Sequence, residues 1–504
     1  MLALVSLAFS LGVPLFISSV SALQSSPTLT PVVVQALAND TLPRLCAPVN
    51  GLANAVSIPS GSKRGVPSPW VNFEGLNVFD AFPNPNNQTE ASDDSAVAGP
   101  FHYMQVVNHG LAIYDKLGNP LCSPIFVSGI WDGFQGPGGG DICASTSHLS
   151  DAVALYDRQA DRWLIARPSG AIQCLALSAT PDPTGAYYRY AFKFTDENGM
   201  FLDYDKFGIG PDAYYSTSDP GRIFSRQGVF AAAFERDQML SNQSTARAVI
   251  FLVPGSQDYT LHMQPAYVEG LTPPPAGSGH PFVSFRNPND PNTVLADRLQ
   301  VWQFQVNWTN PTSSTFAPFT TLSPASFTSK SCFGVDCVPQ PGTMNTLTSL
   351  GEYLMYRLVY RNFAGKHETL LWNQTVDASQ TAGGASQSSS FHAGIMWFEL
   401  RRRGGAWTIY QQGLHAPDAD HRFAGSIAID AAGNIALGYN VSNGTELFPS
   451  IRYTGRSATD KLNTLRPEVS LFEGSGSQTG YPFWADYSEM AIDPTDDCTF
   501  WYTN

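Results

Sequence analysis

Short apolar runs separated by polar turns fill most of this chain, and one arrangement of the two occurs four times. In each copy, residues suited to a β-strand end at an Asp, an Asp or Asn follows four residues later, and a second apolar or aromatic run comes next. The Asp side chain can bond its own backbone and so start a turn. The pattern therefore predicts a repeated β-hairpin. The four copies are residues 113–119, 155–161, 427–434 and 490–497.

Further strand pairs lie between these copies and predict a ring of similar sheets. We expect six inner hairpins whose starts lie about 60 to 70 residues apart, each except the last followed by an outer hairpin. The missing outer hairpin is present at the other end of the chain, in residues 104–107 and 111–114. The predicted fold is all-β: a six-bladed β-propeller closed by N- and C-terminal strands that share one blade, with seven blades or a two-sheet sandwich as alternatives. The expected starts are Asp151, Pro211, Pro281, Glu352, Gly425 and Asp486.

The order of segments predicts three regions. Residues 1–22 are an apolar stretch that ends in small residues, which is typical of a secretory signal peptide. Residues 23–98 are rich in Ser, Pro, Asn and Asp, and we expect an extended N-terminal arm that packs on the main domain near Trp70 and Phe73. Residues 99–504 form the predicted propeller domain. We expect a secreted, extracellular monomer without a membrane span.

Composition narrows the possible partners. Charged residues make up only 14% of the 504 residues, while 43 Gly and 37 Pro favour short strands and many turns. The formal net charge of −14 disfavours nucleic acid, because nucleic-acid binding needs a basic surface.

Cysteines and glycosylation sequons agree with a secretory route. Seven cysteines in an oxidising compartment predict up to three disulfides and one leftover thiol. We expect the pairs Cys332 with Cys337 and Cys143 with Cys174, while Cys46, Cys122 and Cys498 compete for the third bond. The seven glycosylation sequons are at Asn39, Asn87, Asn242, Asn307, Asn373, Asn440 and Asn443.

Several stretches resemble a group of secreted, mostly bacterial β-propeller proteins of unassigned function. The matching stretches are residues 99–108, 113–116, 155–163, 182–188, 211–215, 421–427 and 493–504. The resemblance covers most of residues 99–504 and implies a shared fold but not a shared function. The ring also resembles sialidase-type propellers, whose Asp-box turn, Ser-x-Asp-x-Gly-x-Thr-Trp, has a degenerate counterpart in residues 496–501.

Loops that enter the inner strands of a propeller line a shared depression, where ligands usually bind. In these loops we expect a catalytic His oriented by carboxylates, since His can act as a general acid or base. The candidate catalytic residues are His421, Asp486, Asp420 and Asp212. Arg and aromatic side chains suit an anionic sugar, and the candidate substrate-binding residues are Arg422, Arg222, Arg286, Arg452, His148 and Trp484. The alternative is structural: His421 and Arg422 hold loops through hydrogen bonds, and Asp212 and Asp486 cap turns.

Two functions are compatible with this pattern. The first is a carbohydrate-active enzyme, a glycoside hydrolase or polysaccharide lyase, that acts on an acidic extracellular glycan or cell-wall polysaccharide at the channel mouth. The second is a non-catalytic extracellular propeller that binds or adheres to glycans or proteins through the same face. We expect no cofactor. The Asp-rich residues 203–205 offer oxygen ligands for a structural calcium ion, although they lack the spacing of a calcium-binding loop.

Overall fold

The computed structural model describes residues 29–46, 65–76, 92–136, 140–144, 151–195, 200–221, 228–254, 263–286, 298–327, 337–351, 353–379, 391–484 and 486–504. The predicted signal peptide lies outside these ranges, as do His148, Arg222, Cys332 and Asn87.

The N-terminal arm lies along the main domain. Its two strands, β1 (Val32–Gln35) and β2 (Ala38–Leu42), each add a fifth strand to the edge of a sheet formed by later residues. Further along, the ring of Phe73 contacts Tyr114 at 5.2 Å between centroids, whereas Trp70 is 70% exposed. The arm therefore covers sheet edges that would otherwise carry unpaired backbone groups.

The first sheet of the main domain has four strands in chain order: β3 (Asp94–Ala98), β4 (His102–Val107), β5 (Gly110–Asp115) and β6 (Ile125–Phe126). A 3-10 helix, Val127–Trp131, follows. The turn after β5 is the predicted one, because Asp115 Oδ1 accepts the backbone N–H groups of Leu117 at 2.8 Å and Asn119 at 2.9 Å.

The next two sheets each have five strands. The first contains β7 (Val153–Asp157), β8 (Arg162–Ser169), β9 (Ile172–Ser178) and β10 (Tyr187–Lys193), with β2 outside β10. The second contains β11 (Phe201–Ile209), β12 (Ala213–Gly221), β13 (Gly228–Glu235) and β14 (Arg247–Pro254), with β1 outside β14. A short helix, α1 (Arg236–Leu240), lies between β13 and β14.

An eight-stranded sheet follows and is built from two four-stranded units. The first unit is β15 (Gln264–Glu269), β16 (His280–Arg286), β17 (Arg298–Gln305) and β18 (Thr315–Leu322), with the 3-10 helix Pro311–Ser313 before β18. The second is β19 (Met355–Asn362), β20 (Glu368–Asp377), β21 (Ala393–Arg402) and β22 (Thr408–His415). Parallel pairing of β15 with β19 joins the two units.

The C-terminal part contains a four-stranded sheet and a hairpin. The sheet consists of β23 (His421–Ile429), β24 (Ile435–Ser442), β25 (Ser450–Arg456) and β26 (Val469–Phe472). The hairpin is β27 (Glu489–Ile492) with β28 (Phe500–Thr503).

The innermost strands pack against one another in chain order around a common centre. β3 contacts β7, β7 contacts β11, and the series continues through β15, β19, β23 and β27, which returns to β3. This is the predicted all-β, propeller-type arrangement. It does not confirm six blades, because the eight-stranded sheet joins two units and the terminal hairpin is a sheet of two strands.

The predicted sharing of one blade by the chain ends is wrong for the described strands. β27 and β28 pair with each other, and β3 pairs with β4. The ends meet through a side chain instead: Glu489 Oε2 accepts Ser95 Oγ at 2.7 Å and the Ala96 N–H at 2.9 Å. The strand β3, which the hydrophobic pattern did not reveal, is the innermost strand of the sheet that contains β4 and β5, and β27 is the innermost strand of a separate hairpin.

The prediction places the start of two inner hairpins one strand too late in the chain. The strands after Pro211 and Pro281 are β12 and β16, which are second strands, and the inner ones are β11 and β15. The alternation along β11 is broken by a bulge between Asp203 and Lys206, so the period-two pattern is lost there. Within the ring, β11 lies so close to β15 that a Cβ on Gly208 would be 2.2 Å from the carbonyl oxygen of Ala266.

Two disulfides lie within the described residues. The Cys143–Cys174 bond confirms the predicted pair. Of the three cysteines that could form the third bond, Cys46 and Cys122 are joined, and Cys498 is free and exposed. Cys337 is also disulfide-bonded, and its predicted partner lies outside the described residues.

The sequons differ in accessibility. Asn307 is exposed, and Asn39, Asn242 and Asn443 are partly exposed. Asn373 and Asn440 are fully buried, on β20 and β24. A glycan on either buried amide is incompatible with the folded sheets, so these two acceptor predictions are not supported.

Candidate functional site

Acidic side chains gather where the innermost strands begin. They come from four neighbouring inner strands and from residues just before them, so strands distant in sequence present carboxyl groups at one end of the ring. Asp203 is exposed and Asp486 partly exposed, whereas the others are buried. We call this group the acid cluster; its members are Asp93, Asp151, Asp203, Asp205 and Asp486.

One carboxyl pair of the acid cluster is Asp151 with Asp203. The two side chains share a hydrogen bond, and desolvation followed by the Asp151 charge raises the pKa of Asp203 to about 7. Asp151 also accepts the Tyr487 hydroxyl and, at 3.1 Å, the backbone N–H of Tyr204. Donors of this kind stabilise an ionised carboxylate. The Tyr487 hydroxyl and the Tyr204 N–H therefore fix the position of the Asp151 carboxyl group within the pair.

The second pair is Asp93 with Asp486. Their side chains also share a hydrogen bond. Desolvation followed by the Asp151 charge raises the pKa of Asp486 to about 7, and the same two effects raise that of Asp93 well above its usual range. Within the described part of the chain, Oδ1 of each residue has no hydrogen-bond partner. Because no donor stabilises charge on these atoms, this pair is the one that retains a proton.

Asp205 lies beneath these pairs and is fully buried. Burial raises its pKa to about 8, although Ser218 and Lys206 oppose the shift. At neutral pH the carboxyl group of Asp205 is therefore mostly protonated.

Lys206 is a buried cation next to the acid cluster. Its Nζ lies 3.6 Å from the centroid of the Tyr204 ring and 3.3 Å from that of Tyr487, and it donates to the Asp205 carbonyl oxygen at 3.2 Å. Among the described residues, no carboxylate oxygen forms an ion pair with it within 4.0 Å. Burial lowers its pKa, and Asp151 and Asp486 oppose that shift.

The backbone of this site is strained. Asp93, Asp151 and Tyr204 have φ of +46°, +65° and +55°, in the left-handed region that non-glycine residues rarely adopt. Such conformations cost free energy and persist where the surrounding structure fixes them, which is common at functional sites. Three such residues meet where the inner strands begin, which supports this end of the ring as the functional site.

His421 begins β23 but has a structural environment. Its Nδ1 accepts the Ala393 N–H at 3.2 Å, and its ring lies 5.9 Å from Phe391 between centroids. Burial, followed by the charge of His392, lowers the pKa of His421 to about 4. The His421 imidazole is therefore buried with its Nδ1 occupied by a backbone N–H, and its role as a general acid or base stays a prediction.

Arg422 is fully buried and bound at both ends of its guanidinium group. It contacts Glu468 at 2.9 Å and Asp418 at 2.8 Å, and it also donates to the Asp420 carbonyl oxygen at 2.8 Å. Arg452 donates to the same Glu468 at 2.6 Å. These arginines hold the loops before β23 and after β25, as the structural alternative expects for Arg422. Substrate binding by either arginine stays a prediction.

The other predicted site residues are dispersed. Asp212 lies in the turn between β11 and β12, at the opposite end of the ring from the acid cluster, and accepts the Tyr215 hydroxyl at 2.9 Å. Asp420 accepts Asn443 Nδ2 at 2.8 Å, and Trp484 Nε1 donates to Asn440 Oδ1 at 3.0 Å. Arg286 ends β16, and His148 and Arg222 lie outside the described residues. Of the four predicted catalytic residues, only Asp486 lies in the acid cluster.

The chemistry of the site is that of paired carboxyl groups. In the described ranges, no group of three or more His, Cys, Asp or Glu side chains is arranged to hold a metal ion, which includes residues 203–205. No helix there is long and apolar enough to cross a membrane.

Comparisons with known proteins give few matches. No protein-family model and no curated protein matches this chain. Among solved structures, an endo-arabinase from Bacteroides thetaiotaomicron is 10% identical, with a TM-score of 0.30 over 65% of this chain and 95% of that one. A thermostable family-43 glycoside hydrolase is also 10% identical, with a TM-score of 0.27 over 65% of this chain and 96% of that one.

A third structure is a GH43 glycoside hydrolase engineered to show both endo-xylanase and exo-arabinofuranosidase activity. It is 9% identical, with a TM-score of 0.18 over 78% of this chain and 93% of that one. These scores are too low to support an argument about activity. The interpretation below therefore depends on the geometry of the acid cluster.

Proposed function

We propose that this protein is a secreted glycoside hydrolase that cleaves its glycan at the acid cluster. The proposal depends on two hydrogen-bonded carboxyl pairs, Asp151 with Asp203 and Asp93 with Asp486, which lie where the innermost strands begin. Glycoside hydrolysis needs one protonated and one ionised carboxyl group on either side of the bond that breaks. The two pairs supply these two states.

Asp486 is the proposed general acid. It is partly exposed, its pKa of about 7 keeps it protonated in mildly acidic solution, and Asp93 behind it shares the proton. It gives this proton to the leaving-group oxygen as the glycosidic bond breaks.

The Asp151–Asp203 pair is the proposed carboxylate partner; because Asp203 has the same raised pKa of about 7 as Asp486, the two carboxyl groups of this pair share one proton and one negative charge. Asp203 is the exposed member of the pair, and its neighbour Asp151 accepts hydrogen bonds from the Tyr487 hydroxyl and the Tyr204 N–H. The negative charge of this pair either activates a water molecule or attacks the sugar directly, which are the inverting and retaining routes.

The charge balance favours hydrolysis over elimination. The transition state of glycoside hydrolysis resembles an oxocarbenium ion, so a cluster of carboxylates stabilises it. A lyase must instead neutralise a uronate carboxylate, and Arg422 and Arg452 are already bound to Glu468. We therefore propose a neutral glycan as substrate rather than the acidic one expected from the sequence. Secretion, the monomeric state and a six-bladed ring remain predictions, and the two disulfides are consistent with an oxidising compartment.

A glycan-degradation screen tests the proposal. Neutral and uronate-containing polysaccharides are incubated with the wild-type chain, Asp486→Asn and Asp203→Asn, and both new reducing ends and the ultraviolet absorbance of unsaturated products are recorded. Asp212→Asn is the matched control, because this exposed Asp lies at the other end of the ring.

We expect reducing ends from a neutral glycan, a loss of at least about a hundredfold in the two cluster variants, and activity near wild type in the control. Unsaturated products would instead indicate a lyase. Binding without cleavage of any glycan would favour the non-catalytic alternative.

A further inference from the structure

Lys206 is a buried lysine next to the acid cluster, and the proposed reaction gives it no direct role. It is 1% exposed and belongs to β11, the strand that also carries Asp203 and Asp205. A buried ammonium group normally has a carboxylate in direct contact, because burying an unpaired charge is costly. This ammonium group lies between the rings of Tyr204 and Tyr487 instead.

The two rings fix where the charge lies. Cation–π contacts with Tyr204 and Tyr487, together with the hydrogen bond to the Asp205 carbonyl oxygen, hold Nζ without using a carboxylate. The same two tyrosines bind Asp151, one through its hydroxyl and the other through its backbone N–H. Lys206 and Asp151 are therefore positioned by the same two tyrosines.

We propose that Lys206 is a positioning residue that sets how many protons the acid cluster holds, and so the pH range in which its carboxyl pairs can act. The expected change in the pH profile of kcat/KM depends on the proposed hydrolase function. The expected change in the protonation of the cluster carboxyl groups does not. A positive charge near several carboxyl groups favours their ionised forms. The charge of Lys206 opposes the raised pKa values of Asp93, Asp205 and Asp486.

Other elements packed against β11 also carry charged groups. These elements are β7, β8, β9, β12, β15 and β19. Besides the cluster members Asp93, Asp151 and Asp486, their charged groups include Arg167, Asp219, Glu269 and Arg357.

The kinetic test compares Lys206→Met with Lys206→Arg. The Met variant keeps an unbranched chain between the tyrosines but removes the charge, whereas Arg keeps the charge. Lys366→Met is the matched control, since Lys366 is exposed and lies away from the strand starts, after β19. The bell-shaped pH profile of kcat/KM is measured for all four proteins on the glycan found in the screen.

We expect the alkaline limb of the profile of Lys206→Met, which the general acid Asp486 sets, to move to higher pH by about one unit, because Asp486 loses a favourable positive charge. Lys206→Arg and Lys366→Met should keep the wild-type limbs. A purely structural role would lower kcat or stability in Lys206→Met without displacing the limbs, and that result would overturn the proposal.

An activity-independent measurement separates this proposal from the proposed function. The side-chain carboxyl groups of ¹³C-labelled Asp are titrated by NMR in the wild type and in Lys206→Met. We expect the resonances that titrate near neutral pH to shift upward by about one unit in the variant. If they shift while no glycan is cleaved, the hydrolase proposal fails and the role of Lys206 stands. If they do not shift, the role of Lys206 fails whatever the activity.

Discussion

Replacing Asp205 by Asn tests whether the acid cluster is as strongly desolvated as its geometry indicates. Asp205 is fully buried, and its pKa of about 8 in the folded chain compares with an ordinary value of 3.8. A carboxyl group with a raised folded-state pKa stabilises the fold fully below its unfolded-state pKa. That stability is lost as the pH rises through the folded-state pKa. Asn has nearly the same shape and cannot ionise, so the variant avoids this loss.

The size of the effect follows from the two pKa values. Between them, the free energy of unfolding falls by about 1.4 kcal/mol for each pH unit, because only the unfolded chain releases the proton. From about pH 5 to about pH 7, the advantage of Asp205→Asn over the wild type should therefore grow by up to about 3 kcal/mol. This is an upper limit, since the neighbouring carboxyl groups also change their ionisation over that range.

Urea unfolding at a series of pH values measures this difference. Asp496→Asn is the control: hydrogen bonds in its exposed turn hold the pKa of Asp496 at about 2, so its contribution is constant above about pH 5. The control should differ from the wild type by the same amount at every pH. A flat difference for Asp205→Asn as well would show that Asp205 is ionised in the folded chain and would refute the reasoning.

Three further predictions concern residues outside the acid cluster. Glu468→Gln should lower the free energy of unfolding by about 2 to 4 kcal/mol, since Arg422 is left buried with one carboxylate. Glu473→Gln is the control: Glu473 is half-exposed, so the change should be less than about 0.5 kcal/mol. Urea unfolding measures both values. His421→Gln should keep glycan cleavage within about tenfold of wild type, and a larger loss in kcat with an intact fold would restore it as a catalytic residue. Iodoacetamide should label Cys498 in the native chain and no other cysteine, which peptide mass spectrometry detects.

The parts of the fold that the sequence predicted correctly are those fixed by local chemistry. Asp115 and Asp430 form the expected turns, and in each the Oδ1 atom accepts two backbone N–H groups. Hairpins are local, so the residue types that form them are visible along the chain. The Cys143–Cys174 pair was also predicted, and its two cysteines are 31 residues apart in the chain.

The errors come from features that are not local. The bulge in β11 and the left-handed backbone at Tyr204 interrupt the alternation that marks a strand, so β12 was taken for the inner strand and Asp212 for a site residue. Asp93 precedes β3, which lies in a region read as part of an arm. The partner of Arg422 could not be identified from the sequence, because Glu468 lies 46 residues further along the chain, just before β26.

The location of the acid cluster follows from ring closure. Asp93 and Asp486 come from opposite ends of the chain, yet they share a hydrogen bond because β27 packs on β3 through Glu489. Glu489 in turn binds Arg357 of β19, which also lies 3.4 Å from Glu269 of β15, so four inner strands are tied together directly below the cluster. Because Asp93 and Asp486 come from distant parts of the chain, their pair can form only when the ring is closed. The proposed general acid is therefore assembled by the same contacts that complete the fold.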